Sequence, residues 1–211
     1  MTEIWLDETF DAPNFDPRLQ WFHAPQKWSI QPDGSVLRVE PEAKTDYWQK
    51  THYGFAADNG HFLFTEVAGD FILSTQVRFR PAHQYDQAGL MVRLSADCWL
   101  KTSVEFEPDG PARLGAVVTN FGYSDWSTQN FSGNEVLLRV RREGSDYTVE
   151  YAEAANPAEA QWTQIRLAHL HDDGSGAVQA GLYACSPIGA GYIAEFDFLK
   201  VEKGRVGRSE S

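Results

Sequence analysis

The sequence predicts an all-β protein, and three observations lead to that fold class. Candidate strands recur about every ten residues, separated by turns rich in Gly, Asp, Asn and Pro, a spacing typical of sandwiches and barrels. Several strands alternate apolar and polar side chains, which places one face of each strand against a core. No long segment has the period of an amphipathic helix. The weak candidate AEAANPAEAQ, at 152–161, contains Pro157 and is predicted to be a loop.

The first sixty residues contain short strand candidates and one long segment without a strand pattern. The strands lie around Trp5, Trp21 and Trp28 and at VLRV, residues 36–39, after the turn sequence QPDGS. In such a turn Pro presets φ and Gly accepts a positive φ. Residues 41–61 are polar and rich in aromatic side chains, so we predict a long functional loop rather than a disordered one.

The clearest alternation lies in FILSTQVRFR, and Pro81 ends that strand because it has no N–H to donate. One face of this strand carries Phe71, Leu73, Thr75, Val77 and Phe79. Further strands are predicted within GLMVRLS, WLKTSVEF, ARLGAVVTNFGYSDWS, EVLLRVRREGSDYTVEYA, WTQIRLAHL, AVQAGLYACSP and IAEFDFLKVEK. No internal repeat or linker divides the chain. We therefore predict one domain over residues 1–203, followed by a disordered tail at 204–211.

Composition limits the classes of partner. The 211 residues are 42% hydrophobic and 13% aromatic, enough for a sizeable core. A net charge of −12 argues against nucleic acid and anionic membranes as partners, and it favours a neutral or cationic ligand. No signal peptide or membrane-spanning segment is visible. Two cysteines, Cys98 and Cys185, give no disulfide framework, so we predict a cytoplasmic protein with reduced, buried thiols.

The central stretch from Tyr85 to Trp126 contains the best candidate site. In WLKTSVEF the side chains of Trp99, Lys101, Ser103 and Glu105 fall on one face, opposite a mostly apolar face. An indole beside hydrogen-bonding groups is a common means of binding a sugar. We therefore interpret Trp99, Lys101 and Glu105 as ligand contacts. The alternative is an exposed Lys101–Glu105 ion pair, which would contribute only about 0–1 kcal/mol.

Further candidates surround this strand in the sequence. Gln87 and Arg93 share a face of their strand with Gly89, whose missing side chain would let a ligand or another backbone approach. Arg93 could instead simply neutralise Glu105. The rest of the predicted ligand-binding set comprises Asn120, Asp125 and Trp126 at the rim, with Trp48 and His52 from the long loop. The GYSDWS segment could alternatively be turn architecture, with Trp126 packed on the core.

Four segments resemble the domain-of-unknown-function family 1349, some of whose members are described as regulators of enolase. They are DQAGLMVR at 86–93, WLKTSVEF at 99–106, VVTNFGYSDWS at 117–127 and GLYACSP at 181–187. The resemblance runs in order from about Phe10 to Val201. It implies a concanavalin A-like jelly-roll sandwich of two antiparallel sheets, one of them concave. It implies no reaction, because the family has no established one and a fold does not fix a function.

Catalysis is left open by the sequence. A glycan-acting hydrolase or lyase needs two carboxyl groups about 5–9.5 Å apart, which Glu105 with Asp86 or Asp125 could supply. The E-x-D-x-x-E motif of laminarinase-type enzymes is absent. His169 and His171 have a spacing that could hold a metal, but a DDGSG turn follows them, and we predict neither a metal site nor a cofactor.

Three hypotheses of function therefore follow from the sequence. The first is a carbohydrate-recognition or carbohydrate-metabolism accessory protein whose concave sheet binds a small neutral saccharide or sugar-like metabolite. The second is the glycan-acting enzyme. The third is a regulatory protein-interaction module without a small-molecule site.

Overall fold

A computed structural model describes residues 3–31, 35–154 and 157–204 of the chain. Pro32, Asp33 and Gly34 of the predicted turn, and all of the predicted tail 204–211 except Gly204, lie outside the described residues. The strands, in chain order, are β1 (Glu3–Glu8), β2 (Gln20–Phe22), β3 (Lys27–Gln31), β4 (Val36–Glu40), β5 (Tyr47–Gln49), β6 (Ala56–Asp58), β7 (His61–Ala68), β8 (Phe71–Arg80), β9 (Gln87–Ser95), β10 (Cys98–Glu105), β11 (Ala112–Asn120), β12 (Tyr123–Phe131), β13 (Glu135–Glu143), β14 (Asp146–Ala152), β15 (Thr163–His169), β16 (Ala177–Cys185), β17 (Ile193–Phe196) and β18 (Leu199–Lys203).

The strands form two large antiparallel sheets and one small hairpin. The nine-stranded sheet has the order β15-β14-β13-β8-β17-β4-β3, with β18 also paired to β8 and β1 paired to β18. The seven-stranded sheet has the order β12-β11-β10-β9-β16-β7-β2. Strands β5 and β6 pair only with each other. The predicted jelly-roll sandwich is confirmed. Within 152–161, the only helical structure among the described residues is a single 3-10 turn, Pro157–Glu159.

The main core lies between the two large sheets. The apolar side chains that alternate along β8 face it, as predicted. Phe71, Leu73 and Val77 of β8 are fully buried against the inner face of the seven-stranded sheet, where Leu90 and Leu100 are also fully buried. Burial of this kind is worth roughly 1.5–3 kcal/mol for each large apolar side chain.

A second apolar cluster covers the outer face of the seven-stranded sheet, the face turned away from the main core. Phe62, Met91, Trp99 and Tyr183 project from the sheet, and Tyr47 of β5 packs onto them. The prediction of a long irregular loop at 41–61 is therefore wrong. The segment forms a hairpin, residues 46–58, here called the roof hairpin, whose two strands have three residues each.

Gly89 and Cys185 agree with the sequence predictions, whereas Cys98 is less buried than predicted. A Cβ at Gly89 would collide with the carbonyl oxygen of Thr102 on the neighbouring strand, so another backbone, not a ligand, makes the predicted close approach. Both cysteines are free, Cys185 buried and Cys98 half-buried. Burial raises the pKa of each thiol. Among the described residues, no helix is long and apolar enough to cross a membrane.

Candidate functional site

The site begins with a buried lysine that holds the roof hairpin to the sheet. Lys101, on the outer face of β10, is 3% exposed. Its ammonium donates hydrogen bonds to Tyr47 O at 2.7 Å and to Gln87 Oε1 at 2.9 Å, and it lies 3.6 Å from Asp46 Oδ1. A buried charge is tolerated only when it is paired and hydrogen-bonded, and these three oxygens meet that requirement.

Further polar contacts fix the remaining parts of the roof hairpin. Arg93 pairs with Asp58 of β6 at 2.6 Å, and its guanidinium lies 4.4 Å from the centre of the Phe22 ring. The backbone N–H of Gln49 donates to Ser124 Oγ at 2.9 Å. The hairpin is thus fastened to β9, β10 and β12 of the sheet beneath it.

Between the roof hairpin and the sheet lies a cavity of about 200 Å³. Its polar side is formed by Asp46, Gln87, Lys101 and Glu105, and Val117 adds one aliphatic side chain to the lining. Its aromatic side is formed by Trp48, Tyr53, Phe55, Tyr85 and Trp126. Concave sites with a few polar groups among apolar walls are the usual form of small-molecule sites.

The strand register brings the polar groups together. Glu105 of β10 is the antiparallel partner of Gln87 of β9, so both side chains emerge side by side on the outer face. Gln87 Nε2 donates to Glu105 Oε2 at 2.9 Å and to Tyr85 O at 3.1 Å. Gln87 Oε1 accepts from Lys101 and from Tyr183 Oη, at 2.9 and 3.1 Å. All the hydrogen-bonding groups of the Gln87 amide are therefore occupied by its neighbours, which it orients.

Glu105 is the group whose chemistry differs most from its ordinary behaviour. Burial raises the pKa of its carboxyl to about 8, and the nearby charges of Asp46 and Glu107 add to the increase, against the opposing effect of Lys101. The group is therefore mainly protonated at neutral pH. Perturbed carboxyl groups inside a cavity are typical of functional sites.

Aromatic side chains surround the opening of the cavity. Tyr53 is 59% exposed, Phe55 47% and Tyr85 37%, while Trp48 is nearly buried and packs edge-on against Tyr53 at 5.5 Å. Tyr85 has φ of 70°, a conformation that is uncommon for a bulky residue and often marks a functional position. Asp86 stabilises this turn by accepting hydrogen bonds from the N–H groups of Ala82 and His83, both at 2.8 Å.

Five of the predicted site residues line the cavity. They are Lys101, Glu105, Gln87, Trp48 and Trp126. Lys101 and Gln87 are saturated by protein contacts. By contrast, Glu105 Oε1 has no hydrogen-bond partner among the residues that the structure describes.

The other five predicted residues have other positions, and their predicted roles are corrected. Trp99 is fully buried beneath Tyr47, and its Nε1 donates to Ala96 O at 3.1 Å. Arg93 holds Asp58 and does not neutralise Glu105. The exposed His52 packs on Tyr53 outside the cavity. Asn120 bridges the backbone of His169 and His171, at 2.8 Å to each, and so joins the two large sheets.

Asp125 cannot share the cavity with Trp126, because adjacent strand residues point to opposite faces. It pairs instead with Arg166 of β15 at 2.7 Å. Asp86 is 1% exposed and, besides its two backbone contacts, accepts from Ser186 Oγ at 2.8 Å. The hypothesis that Glu105 acts with Asp86 or Asp125 is therefore wrong, since neither carboxylate lines the cavity.

Five lining residues were missed by the sequence analysis: Asp46, Tyr53, Phe55, Tyr85 and Val117. Three belong to the roof hairpin, and its cluster of aromatic residues in a polar segment was the available signal.

No group of three or more metal-ligating side chains occurs within residues 3–31, 35–154 and 157–204. His169 lies 2.9 Å from Asp146 at the surface.

Comparison with known proteins places the chain in a family of unknown function. The chain is similar to "Regulation of enolase protein 1" of Saccharomyces cerevisiae, with 35% identity over 178 residues, which covers 83% of this chain and 85% of that protein. A solved structure of a functionally unknown protein from Saccharomyces cerevisiae matches with 33% identity and a TM-score of 0.79, covering 90% of this chain and 98% of that one.

More distant structures share the fold alone. One is a xylan beta-1,4-xylosidase from Bacillus halodurans, at 14% identity and a TM-score of 0.73. The match covers 93% of this chain but 39% of the xylosidase. The model of the family described as "Protein of unknown function (DUF1349)" matches residues 21–204. The chain therefore belongs to the DUF1349 family.

Proposed function

We propose that the protein binds a small saccharide or sugar-like metabolite in the cavity under the roof hairpin. The observation that carries the proposal is the combination of one unsatisfied carboxyl oxygen, on Glu105, with five aromatic side chains around a cavity of about 200 Å³. Sugars are recognised by aromatic stacking together with a few directional polar contacts. A cavity below the roughly 300–1,000 Å³ of drug-sized sites fits a small ligand.

The polar contacts support Glu105, rather than Lys101, as the group that hydrogen-bonds the ligand. Lys101 is enclosed by its three oxygen neighbours and offers no unused charge. Glu105 lines the cavity and is held by Gln87 through one oxygen, while its second oxygen has no hydrogen-bond partner among the described residues. A ligand hydroxyl or amine next to that oxygen would replace water at a site already oriented, which favours binding.

The relatives support a role connected with carbohydrate metabolism. One is named for the regulation of enolase, and the more distant fold neighbours include glycosidases, of which this fold makes up about two fifths. We accordingly propose a carbohydrate-recognition or accessory role in the cytoplasm, in which the free thiols of Cys98 and Cys185 would stay reduced.

The test is a thermal-shift screen of the purified protein against mono- and oligosaccharides, sugar acids and amino sugars. A ligand at about 100 times its Kd stabilises the fold by about 2.7 kcal/mol. The shift should disappear in Trp126→Ala and persist in Trp162→Ala, because Trp162 packs on Arg139 away from the cavity. A screen without any shift, or a shift that survives Trp126→Ala, would overturn the proposal.

A regulatory protein-interaction role is the second candidate, with enolase as the partner that the yeast relative's name suggests. The supporting observation is a patch of exposed apolar side chains at the edge of the sandwich, where Tyr123 of β12 and Leu167 of β15 line one groove. Phe121 is 70% exposed, Leu167 67% and Tyr123 61%. Exposed patches of this kind often mark interaction sites. Purified enolase should bind the protein in a pull-down and fail to bind Leu167→Asp. Binding unaffected by this change would exclude the patch.

A further inference from the structure

The charge balance of the cavity indicates which class of ligand it prefers. Among its lining residues, Lys101 is the only cation, and it is already matched by Asp46 at 3.6 Å. Glu105 receives its hydrogen bond from the neutral amide of Gln87. When Glu105 is ionised, the cavity therefore carries one uncompensated negative charge.

The aromatic side of the cavity adds a second, independent preference. Trp48, Tyr53, Phe55, Tyr85 and Trp126 line the same space as Glu105. Aromatic faces carry a negative quadrupole and attract ammonium groups, most strongly where water is excluded. An ammonium–ring contact of this kind occurs next to the cavity, where Lys101 Nζ lies 5.7 Å from the centre of the buried Trp99 ring.

We infer that the preferred ligand is a sugar-like molecule bearing a protonated amine, with its ammonium group between Glu105 and the aromatic side chains. This inference rests on the proposed function, because it names the class of ligand for the same cavity. A neutral sugar leaves the carboxyl of Glu105 protonated. An ammonium group instead favours the carboxylate and displaces its proton to solvent.

The other titratable groups around Glu105 do not compete for this role. Lys101 and Asp46 compensate each other, Glu107 accepts from Gln84 at 2.8 Å, and Arg113, the register partner on β11, donates to Asn130 at 2.6 Å. Burial raises the pKa of Tyr183 and Cys185 on β16 well above the usual values, and the pKa of Tyr85 is also raised. Glu105 is thus the group that changes charge near neutral pH.

The first experiment compares glucosamine with glucose by isothermal titration calorimetry at pH 7, in buffers of different ionisation enthalpy. Glucosamine should bind more tightly and release about one proton per ligand, because the pKa of Glu105 falls from about 8 when the cation binds. Glucose should release none. Equal affinity for both sugars without proton release would overturn the inference and leave the proposed function standing. Absence of binding by either sugar would count against both.

The second experiment separates the charge of Glu105 from the fold. Tetramethylammonium keeps its charge at every pH, so its affinity should rise about tenfold from pH 7 to pH 9, as Glu105 ionises across a pKa of about 8. Glu105→Gln should weaken glucosamine binding about tenfold, abolish its proton release and remove the pH dependence, whereas Glu105→Asp should retain proton release.

The matched control is Glu66→Gln, which removes an exposed carboxylate from β7 of the same sheet, outside the cavity. It should leave affinity and proton release unchanged. A pH dependence that persists in Glu105→Gln would overturn the assignment of the site to this carboxyl.

Discussion

At the scale of single residues, the cavity depends on one lysine and one glutamate that lie on the same strand and have opposite roles. All the hydrogen-bonding capacity of Lys101 goes to contacts that hold the structure together, whereas one oxygen of Glu105 has no hydrogen-bond partner among the described residues. Both residues are on the outer face of β10, four residues apart. The difference between them comes from what the roof hairpin places above each one.

Glu105→Gln should be more stable than the wild-type protein, by a difference that grows as the pH rises. The folded pKa, about 8, lies above the ordinary value of 4.5, so the folded state binds its proton more tightly than the unfolded state does. Its stabilising effect is complete below pH 4.5 and is lost as the pH rises to 8. Glu105→Gln mimics the protonated form and should gain on the order of 1–3 kcal/mol over wild type between pH 5 and pH 8.

Denaturant unfolding at several pH values measures this gain, with Glu66→Gln as the control that should show no trend. A constant difference between Glu105→Gln and wild type at all pH values would mean that the carboxyl is ionised throughout the range.

Replacing Lys101 by Met should destabilise the fold by about 3–5 kcal/mol, because Tyr47 O, Gln87 Oε1 and the Asp46 carboxylate lose their common partner inside the protein. Lys200→Met is the matched control, since Lys200 is 32% exposed and pairs with Glu202 at 3.5 Å. It should change the free energy of unfolding by less than about 1 kcal/mol. Comparable losses in the two variants would show that the buried contacts contribute little.

At the scale of elements, the roof hairpin is a small structure that owes its place to packing against the sheet. Its two three-residue strands could not form a stable hairpin alone. Tyr47 supplies the apolar contact, with ring centres 6.2 Å from Trp99 and 6.1 Å from Tyr183, and its hydroxyl donates to Gly60 O at 2.7 Å. Gly60, where the chain leaves the hairpin, lies directly against the Tyr47 ring and the Cys185 sulfur.

Gly60→Ala should therefore displace the Tyr47 ring and destabilise the protein by about 1–3 kcal/mol, since a Cβ there would overlap both neighbours. Gly110→Ala is the control, because nothing lies within 4 Å of the position that its Cβ would take. Thermal unfolding compares the two variants. If Gly60→Ala were as stable as Gly110→Ala, the packing of Tyr47 and Cys185 against Gly60 would have to be looser than described.

At the scale of the whole molecule, the sheet-forming segments could be predicted from the sequence because a half-buried strand shows its faces by alternation. Phe71, Leu73 and Val77 were assigned to the core on that basis, and they lie there. Alternation also separated Trp99, Lys101 and Glu105 from the core-facing residues of β10. It could not tell what would cover that second face.

The differences between the predicted and the observed site arise because alternation does not show what covers the outer face of the sheet. The strands of the roof hairpin are too short to produce a periodic signal, so Trp99 was expected to meet a ligand and meets Tyr47 instead. Asp46 and Phe55 reach the cavity through a fold-back that depends on contacts with residues distant in the chain. The sequence does contain the information that separates Asp125 from Trp126, because two adjacent residues of a strand point to opposite faces.

The buried thiol reports on the integrity of the whole fold. Cys185 is the last residue of β16 and packs in the apolar cluster that contains Tyr47 of the roof hairpin, and burial raises the pKa of its thiol well above the usual value. In Cys98→Ser, labelling of Cys185 by a thiol reagent should therefore require global unfolding and follow its rate. The half-buried Cys98, examined in Cys185→Ser, should react faster. Rapid labelling of Cys185 in folded protein would show that the hairpin opens by itself.

The apolar cluster shared by the hairpin and the sheet also affects how quickly a ligand can come and go. Because the roof is part of a packed core, the cavity is complete before a ligand arrives, and no segment has to order itself on binding. Exchange then depends on rotation of the exposed rings of Tyr53 and Phe55, which is fast on the scale of molecular encounters. Observed association rates should rise linearly with ligand concentration, without the plateau that a slow conformational step imposes.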